Sequence, residues 1–331
     1  MNISIIIAAY NSEQYIKRCV QSIFKSDFKD FEVIIINNGS HDKTVSILKK
    51  LQKTHPIHLI QNDVNAGASV ARNRGAKKAT GKLLFFLDHD TTIAPNCLNE
   101  IYTFFSKKSA GAAQCKLLTP TGEIDSLGHF ISYGGFPYEI TDEKENSHNK
   151  PFKVLGAKTA GLVIRKSVFK KVDGFDEDYI ISAEDTDISW RIWLAKSSLY
   201  SLPTAIVVHY ASNQKKQTSA YRTRILYEGS KNLINIILKN ADIYRLSLLL
   251  PLNIVAWIGL SIKYVFMADF QSAQAIYTGI WWNITHLYKT WDKRITNYLD
   301  GTMVVLDKNI LFGNISFIDL IKKGWRWALH A

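Results

Sequence analysis

Before residue 90 the chain repeats one pattern: a short apolar run, then a longer stretch with apolar residues at helical spacing. ISIIIAAY predicts a strand. SEQYIKRCVQSIFKS predicts a helix with Tyr15, Ile16, Cys19, Val20 and Ile23 on one face and Ser12 as its N-cap. FEVIIIN and IHLIQN predict two more strands, separated by a turn and helix over NGSHDKTVSILKKLQK. ASVARNRGAKKAT predicts a short helix, and KLLFFLDHD a fourth strand that is apolar on both faces. Such a strand belongs in the middle of a covered, largely parallel sheet. The alternation therefore predicts an α/β fold of doubly wound type.

From about Gly111 to Leu155 the pattern changes to shorter strands and turns, and the polar segment Glu139 to Lys150 reads as a mobile loop suited to a lid. AGLVIRKSVFKKV restores a strand and helix. In DGFDEDYIISAEDTDISWRIWLAK, Ile188, Ile192 and Ala195 line one helix face, and LPTAIVVHY predicts the last strand. Beyond about residue 215 the chain becomes helical, aromatic and basic. Two regions result, 1–215 and 216–331, as the length of 331 residues suggests.

Composition narrows the classes. A hydrophobic content of 47% excludes disorder, and three cysteines (Cys19, Cys97, Cys115) with no CxxC point away from disulfide scaffolds and zinc knuckles and fit a reducing compartment. The net charge is +12, and from Ala211 onward 15 Lys+Arg face 7 Asp+Glu, a net of +8. That tail also holds Trp257, Trp281, Trp282, Trp291, Trp325 and Trp327. Cations mixed with aromatics suit a membrane interface, and cations also suit nucleic acid. Met1 to Ala9 reads as a buried strand rather than an export signal. Leu246 to Met267 is about long enough for a membrane span, which needs roughly 20 residues, but Pro251, Asn253 and Lys263 favour a re-entrant or interfacial segment.

The first strand is not followed by GxGxxG, and the chain has neither a GKS/GKT phosphate loop nor an HExxH. Asp88-His89-Asp90 ends the buried strand LLFFL, at the sheet end where ligands bind in open parallel sheets. Two acids there repel unless a cation joins them, and Mg²⁺ or Mn²⁺ bridges carboxylates to phosphates; a solvated strand cap is the plain alternative. Glu184-Asp185 with Asp187 enters a helix, where acids are favoured by the dipole and where one can act as a general base. His209 ends the last strand, either as a packed histidine or as a third metal ligand beside Asp90. Asn37-Asn38-Gly39-Ser40 reads as a turn or as a nucleotide contact, and Arg72 with Arg74 as a solvated face or a diphosphate contact.

Taken in order, SIIIAAYN, EVIIINNGSHDKT, NAGASVARNRGAKKATGKLLFFLDHD, the segment from AGLVIRKS to ISWRIWLA, and PTAIVVHY resemble the family 2 glycosyltransferases of the GT-A fold. The match covers residues 3 to 215, and DSLGHFISYGG resembles the bacterial rhamnosyltransferase-like branch. The resemblance implies a nucleotide-binding, mostly parallel GT-A sheet followed by the helical, aromatic, basic extension, which would associate with membrane or oligomerise. It implies that Asp88 and Asp90 hold Mg²⁺ or Mn²⁺ on the nucleotide diphosphate, with His209 near the metal. Asp185 would be the catalytic base, with Glu184 before it. Ala8, Tyr10, Asn37, Asn38 and Arg72 would line the nucleotide-sugar pocket. Asn37 stands where the family commonly has Asp, so UDP is not assumed over dTDP or GDP. The expected reaction is inverting transfer from a nucleoside-diphosphate sugar to a glycan or lipid-linked acceptor, in cell-surface polysaccharide synthesis at the inner face of the membrane. The alternatives are a nucleotidyltransferase acting on sugar phosphates, for which SIIIAAYNSEQY lacks the Gly- and Arg/Lys-rich loop, and a basic nucleic-acid-binding protein.

Overall fold

The computed structural model describes residues 1–141, 150–210, 218–298 and 305–313. Segment 142–149, which carries most of the expected lid, and the region boundary at 215 lie outside the described residues, as do Trp325 and Trp327. Strands β1 (Ile3–Ala9), β2 (Phe31–Asn38), β3 (Ile57–Asn62) and β4 (Leu83–Asp88) lie parallel in the order β3-β2-β1-β4. Helices α1 (Ile16–Phe24), α2 (Thr44–Gln52) and α3 (Ala68–Lys78) make the crossovers. The strands are apolar on both faces because both are covered: Ile5 and Ile7 pack with Cys19 and Ile23, while Ile6 packs with Ala71 and Ala76 on the other side.

The second half is more antiparallel than the alternation predicts. In chain order follow β5 (Thr91–Ile93), α4 (Cys97–Lys107), β6 (Ala112–Leu118), β7 (Ile124–Ser126), β8 (His129–Ile131), β9 (Pro137–Glu139), β10 (Phe152–Lys153) and β11 (Leu162–Arg165). Then come α5 (Lys166–Lys171), α6 (Glu184–Leu194) and β12 (Leu199–His209). The sheet continues β4-β11-β6-β12-β10, with β11 antiparallel to both β4 and β6. No α-helix lies between β6 and β11 among the described residues, so the chain has no crossover with which to return in parallel. A further correction concerns Ser12. Its hydroxyl turns to Thr44 and does not cap α1, which begins at Ile16 after a first turn closed by the Ser12 carbonyl.

After residue 217 come α7 (Ser219–Asn240), α8 (Ile243–Phe266), α9 (Phe270–Thr285), α10 (Leu287–Asn297) and α11 (Lys308–Phe312). The first of these is built into the α/β body. Buried Lys239 of α7 lies 2.5 Å from Asp176 and 2.8 Å from Asp187 of α6. Asn232 of α7 donates to the carbonyls of Ile181 and Ser182 at 3.0 and 2.7 Å. Ser182 and Ala183 both adopt left-handed backbone, with φ of 72° and 62°, directly before Glu184. Non-glycine residues hold that conformation only where their surroundings impose it, and α7 imposes it here. Asn232→Ala is expected to cost about 1–3 kcal/mol, the penalty of orphaning buried polar groups, read as a lower denaturant midpoint.

Candidate active site

The site assembles at the carboxyl ends of β4 and β12 and the N-terminus of α6. Asp88 is the last residue of β4, and Asp90 follows in a tight turn in which the Thr91 hydroxyl donates to the Asp88 carbonyl at 2.7 Å. Antiparallel pairing of β5 with β12 sets His209 opposite Thr91, and the Tyr210 amide donates to the Asp90 carbonyl at 2.8 Å. One ligand atom each from Asp88, Asp90 and His209 therefore lies within 4.8 Å of the others. His209 Nε2 is 3.5 Å from Asp90, and its Nδ1 is 3.1 Å from Asp125.

The charges explain what this group accepts. Burial lowers the His209 pKa, but hydrogen bonds to Asp125 and Asp90, with the field of Asp88, overcome it and raise it to about 10. Burial raises Asp90, and the neighbouring imidazolium outweighs this, holding the carboxyl below its ordinary range. A proton on His209 thus offsets a concentration of carboxylates. Two carboxylates and an imidazole could hold a divalent cation in place of that proton, and the Asp125 contact on Nδ1 would leave Nε2 as the ligand atom.

Arg72 of α3 is 5% exposed and donates to Glu184 at 2.8 Å and to Asp88 at 2.9 Å. This one guanidinium joins the DHD turn to the ED helix start. The acids behind it differ in exposure: Glu184 and Asp187 are buried, whereas Asp185 is half-buried. Asp185 Oδ1 accepts from the Thr186 amide at 2.7 Å, and the Thr186 hydroxyl lies 3.1 Å from His129 Nε2. Burial raises the Asp185 pKa above the ordinary aspartate range, with the field of His129 opposing and that of Glu139 reinforcing the shift. Burial likewise raises Glu184, against the pull of Arg72. A carboxylate with raised pKa and partial exposure is equipped to take a proton.

The remaining residues expected in a nucleotide pocket divide. Tyr10 is 38% exposed, and the Ala8 carbonyl faces His89 Nδ1 at 3.4 Å, on the rim of the same sheet end. Asn37 is buried and accepts from the Ser40 amide at 3.3 Å. Asn38 is held by its neighbours. It donates to Asn65 and Gly67 and accepts from Asn62 and Ala66, so its hydrogen-bonding capacity is spent inside the fold. Its neighbour Gly39, at φ 73°, has no room for a Cβ, which would meet Val64 backbone at 2.6 Å. Arg72 donates to the two acids it bridges.

Sequence reasoning assigned no role to Asp125, His129, Lys158 or Thr186. Lys158 lies 3.6 Å from Asp125 and 3.8 Å from Glu139, between the Asp88–Asp90–His209 group and Asp185. The first two stand in DSLGHFISYGG, so the signal lay inside a motif that had been read only as a whole.

The profile named Glycosyl transferase family 2 matches residues 4–173. Glycosyltransferase GlyA of Streptococcus pneumoniae is 34% identical over 211 residues, covering 62% of this chain and 30% of its own length. Three further curated relatives are matched over only 18–48% of their own lengths. Among solved structures, S. aureus TarS 1-349 superposes with a TM-score of 0.55 at 21% identity, covering 96% of this chain and 97% of that one. The mannosyltransferase PcManGT from Pyrobaculum calidifontis, in complex with GDP-Man and Mn²⁺, gives 0.57 at 16% identity, covering 91% and 86%. These structural likenesses establish the fold, and with the profile spanning half of the sequence the chain belongs to glycosyl transferase family 2.

Proposed function

We propose that the protein transfers a sugar, with inversion, from a nucleoside-diphosphate sugar to a hydroxyl of a glycan or lipid-linked acceptor in cell-surface polysaccharide synthesis. The observation that supports this reading is the Arg72 bridge, which joins Asp88 of β4 to Glu184 at the start of α6. The names of relatives support the substrate class: TarS is a poly(ribitol-phosphate) β-N-acetylglucosaminyltransferase, and its 1-349 fragment has been solved with UDP-GlcNAc.

Asp88, Asp90 and His209 are the residues that would hold the divalent cation, with Asp125 orienting the His209 ring. When bound, Mg²⁺ or Mn²⁺ would supply positive charge against the leaving diphosphate. Asp185 receives the proton of the acceptor hydroxyl as that oxygen bonds to the anomeric carbon and the bond to the diphosphate breaks. The products are the new glycoside, the free nucleoside diphosphate and a protonated Asp185. One displacement inverts the carbon without an enzyme nucleophile. Thr186 fixes the Asp185 carboxylate through its amide, which leaves Oδ2 to face the acceptor.

Because the base must be ionised, turnover is expected to fall as pH drops through the Asp185 pKa. Burial places that limb above the ordinary aspartate range, and a pH profile of kcat reads it. A panel of nucleotide sugars with Mn²⁺ or Mg²⁺, scored for nucleoside diphosphate release, tests the reaction. Release from at least one donor, dependent on metal, is expected; no release from any donor in the presence of glycan acceptors would contradict the proposal.

A further inference from the structure

Helix α8 is apolar on both sides: its inner side buries Leu249, Trp257, Leu260 and Tyr264 in the core beside a few polar residues, and its outer side is apolar as well. Between Arg245 and Lys263 it carries no charge, and a window within it reaches a mean hydropathy of 1.7. Its inner side buries Asn253 and Ser261 completely, along with Arg245, which bonds Asp242 at 2.6 Å. Its outer side exposes Leu248, Leu252, Val255, Ile262 and Phe266, with Val255 at 66% and Phe266 at 87%. A helix in water turns its apolar stripe inward. Helix α8 does so with Leu249, Trp257 and Leu260, and a second apolar face is left exposed, which favours an apolar medium outside.

We propose that this outer face docks in the plane of an anionic lipid bilayer surface, half-immersed among the acyl chains beneath the headgroups. Three observations favour a lipid surface lying alongside the helix. First, the inner side is engaged along the whole length of α8, from Arg245 through Asn253 and Trp257 to Tyr264. Asn253 donates to the Gly134 carbonyl at 2.6 Å, and Trp257 packs on Phe136 at 5.7 Å between rings. A spanning α8 would draw the non-helical turn between β8 and β9, which packs on it, toward hydrocarbon, where irregular backbone is not tolerated; an in-plane helix keeps that turn out of it. Second, the outer side joins its aliphatic residues to exposed Tyr244 and Phe266, with Phe270 just beyond, the mixture of apolar and aromatic side chains that interfacial helices present. Third, the chain carries +12, with +8 of it from residue 211 onward. That charge is attracted to anionic headgroups and repels a second copy of itself.

The docked helix lies one layer from the proposed base. It packs on β8–β9, whose His129 reaches Thr186 beside Asp185. The inference thus deepens the proposed function, on which it rests only for the acceptor: a lipid-linked glycan held at this surface would be delivered to that side of the cleft.

The test is co-sedimentation of the full chain with vesicles of equal parts phosphatidylglycerol and phosphatidylcholine. The chain is expected to sediment, and Leu252→Glu with Val255→Glu to weaken binding at least about tenfold, because charges are costly in the acyl region. The thermal midpoint and donor turnover with a soluble acceptor are expected to stay at wild-type values. A wild-type chain that remains in the supernatant, or a double variant that binds as well as wild type, would overturn the proposal. So would a wild-type dimer in sedimentation velocity that the double variant makes monomeric, since a second copy would then cover the face. Absence of donor turnover with vesicle binding intact would sink the transfer reading and leave the docking standing.

Discussion

Asp185→Asn is expected to lower kcat by about 10²–10⁴-fold, the usual worth of a positioned general base, with donor affinity unchanged. The amide keeps the size of the carboxylate and can still accept from the Thr186 amide, so the loss isolates proton transfer. The raised pKa makes the same point from another side. A carboxylate held above the ordinary aspartate range by burial is a stronger base than a solvated one. Thr186→Val would remove the hydroxyl that lies 3.4 Å from Asp185 Oδ1 while keeping the amide contact. Losing a donor to the ionised form raises the pKa further, so in this variant the acidic limb of the kcat profile is expected to move to higher pH. An Asp185→Asn protein with full turnover would remove the base from the mechanism.

Arg72→Met is expected to destabilise the fold by about 3–5 kcal/mol, as removal of one partner from a buried ion pair does. Arg72 is 6% exposed at its side chain and serves two acids, Glu184 at 10% and Asp88 at 29%. Its loss strands Glu184 in the interior beside Asp185. Glu184 already titrates above the ordinary glutamate range because of burial, and without Arg72 it would go higher. An acid whose pKa is raised in the folded state binds protons on folding, so the defect should shrink as pH falls toward that value. Chemical denaturation at neutral and mildly acidic pH measures both effects. An unchanged midpoint at neutral pH would mean that the bridge contributes nothing to the fold.

The parts of the molecule legible in the sequence are those set by local period and burial. ISIIIAAY, FEVIIIN and LLFFL read as strands because runs apolar on both faces fit a covered sheet, and the structure buries Ile5, Ile35 and Phe85 completely. The DHD and ED segments could be located at a strand end and a helix start from the same signals. Pairings between distant residues were not legible. Arg72 and Glu184 are 112 positions apart, and His209 and Asp125 are 84 apart, and no local pattern marks either contact. The antiparallel entry of β11 beside β4 was hidden for the same reason, since its own residues are as apolar as those of a parallel strand. The hydrogen bonds of Asn38 to Asn62, Asn65 and Gly67 were hidden too, because an Asn-rich turn at a sheet end suits a nucleotide and a buried hydrogen-bond knot equally well. The tail was read from its charge and tryptophans, yet the contacts of Asn232 and Lys239 make α7 the support of the loop that presents Asp185.

The central claim is that two acidic clusters serve one cleft with separate roles. Calorimetric titration of a nucleotide sugar with Mn²⁺, set beside turnover of the same variants, tests it most directly. Asp90→Ala is expected to lose the metal-dependent part of donor binding, and Asp185→Asn to bind donor and metal as wild type does without transferring the sugar. Metal-dependent donor binding that survives Asp90→Ala intact, or is lost in Asp185→Asn, would contradict the account.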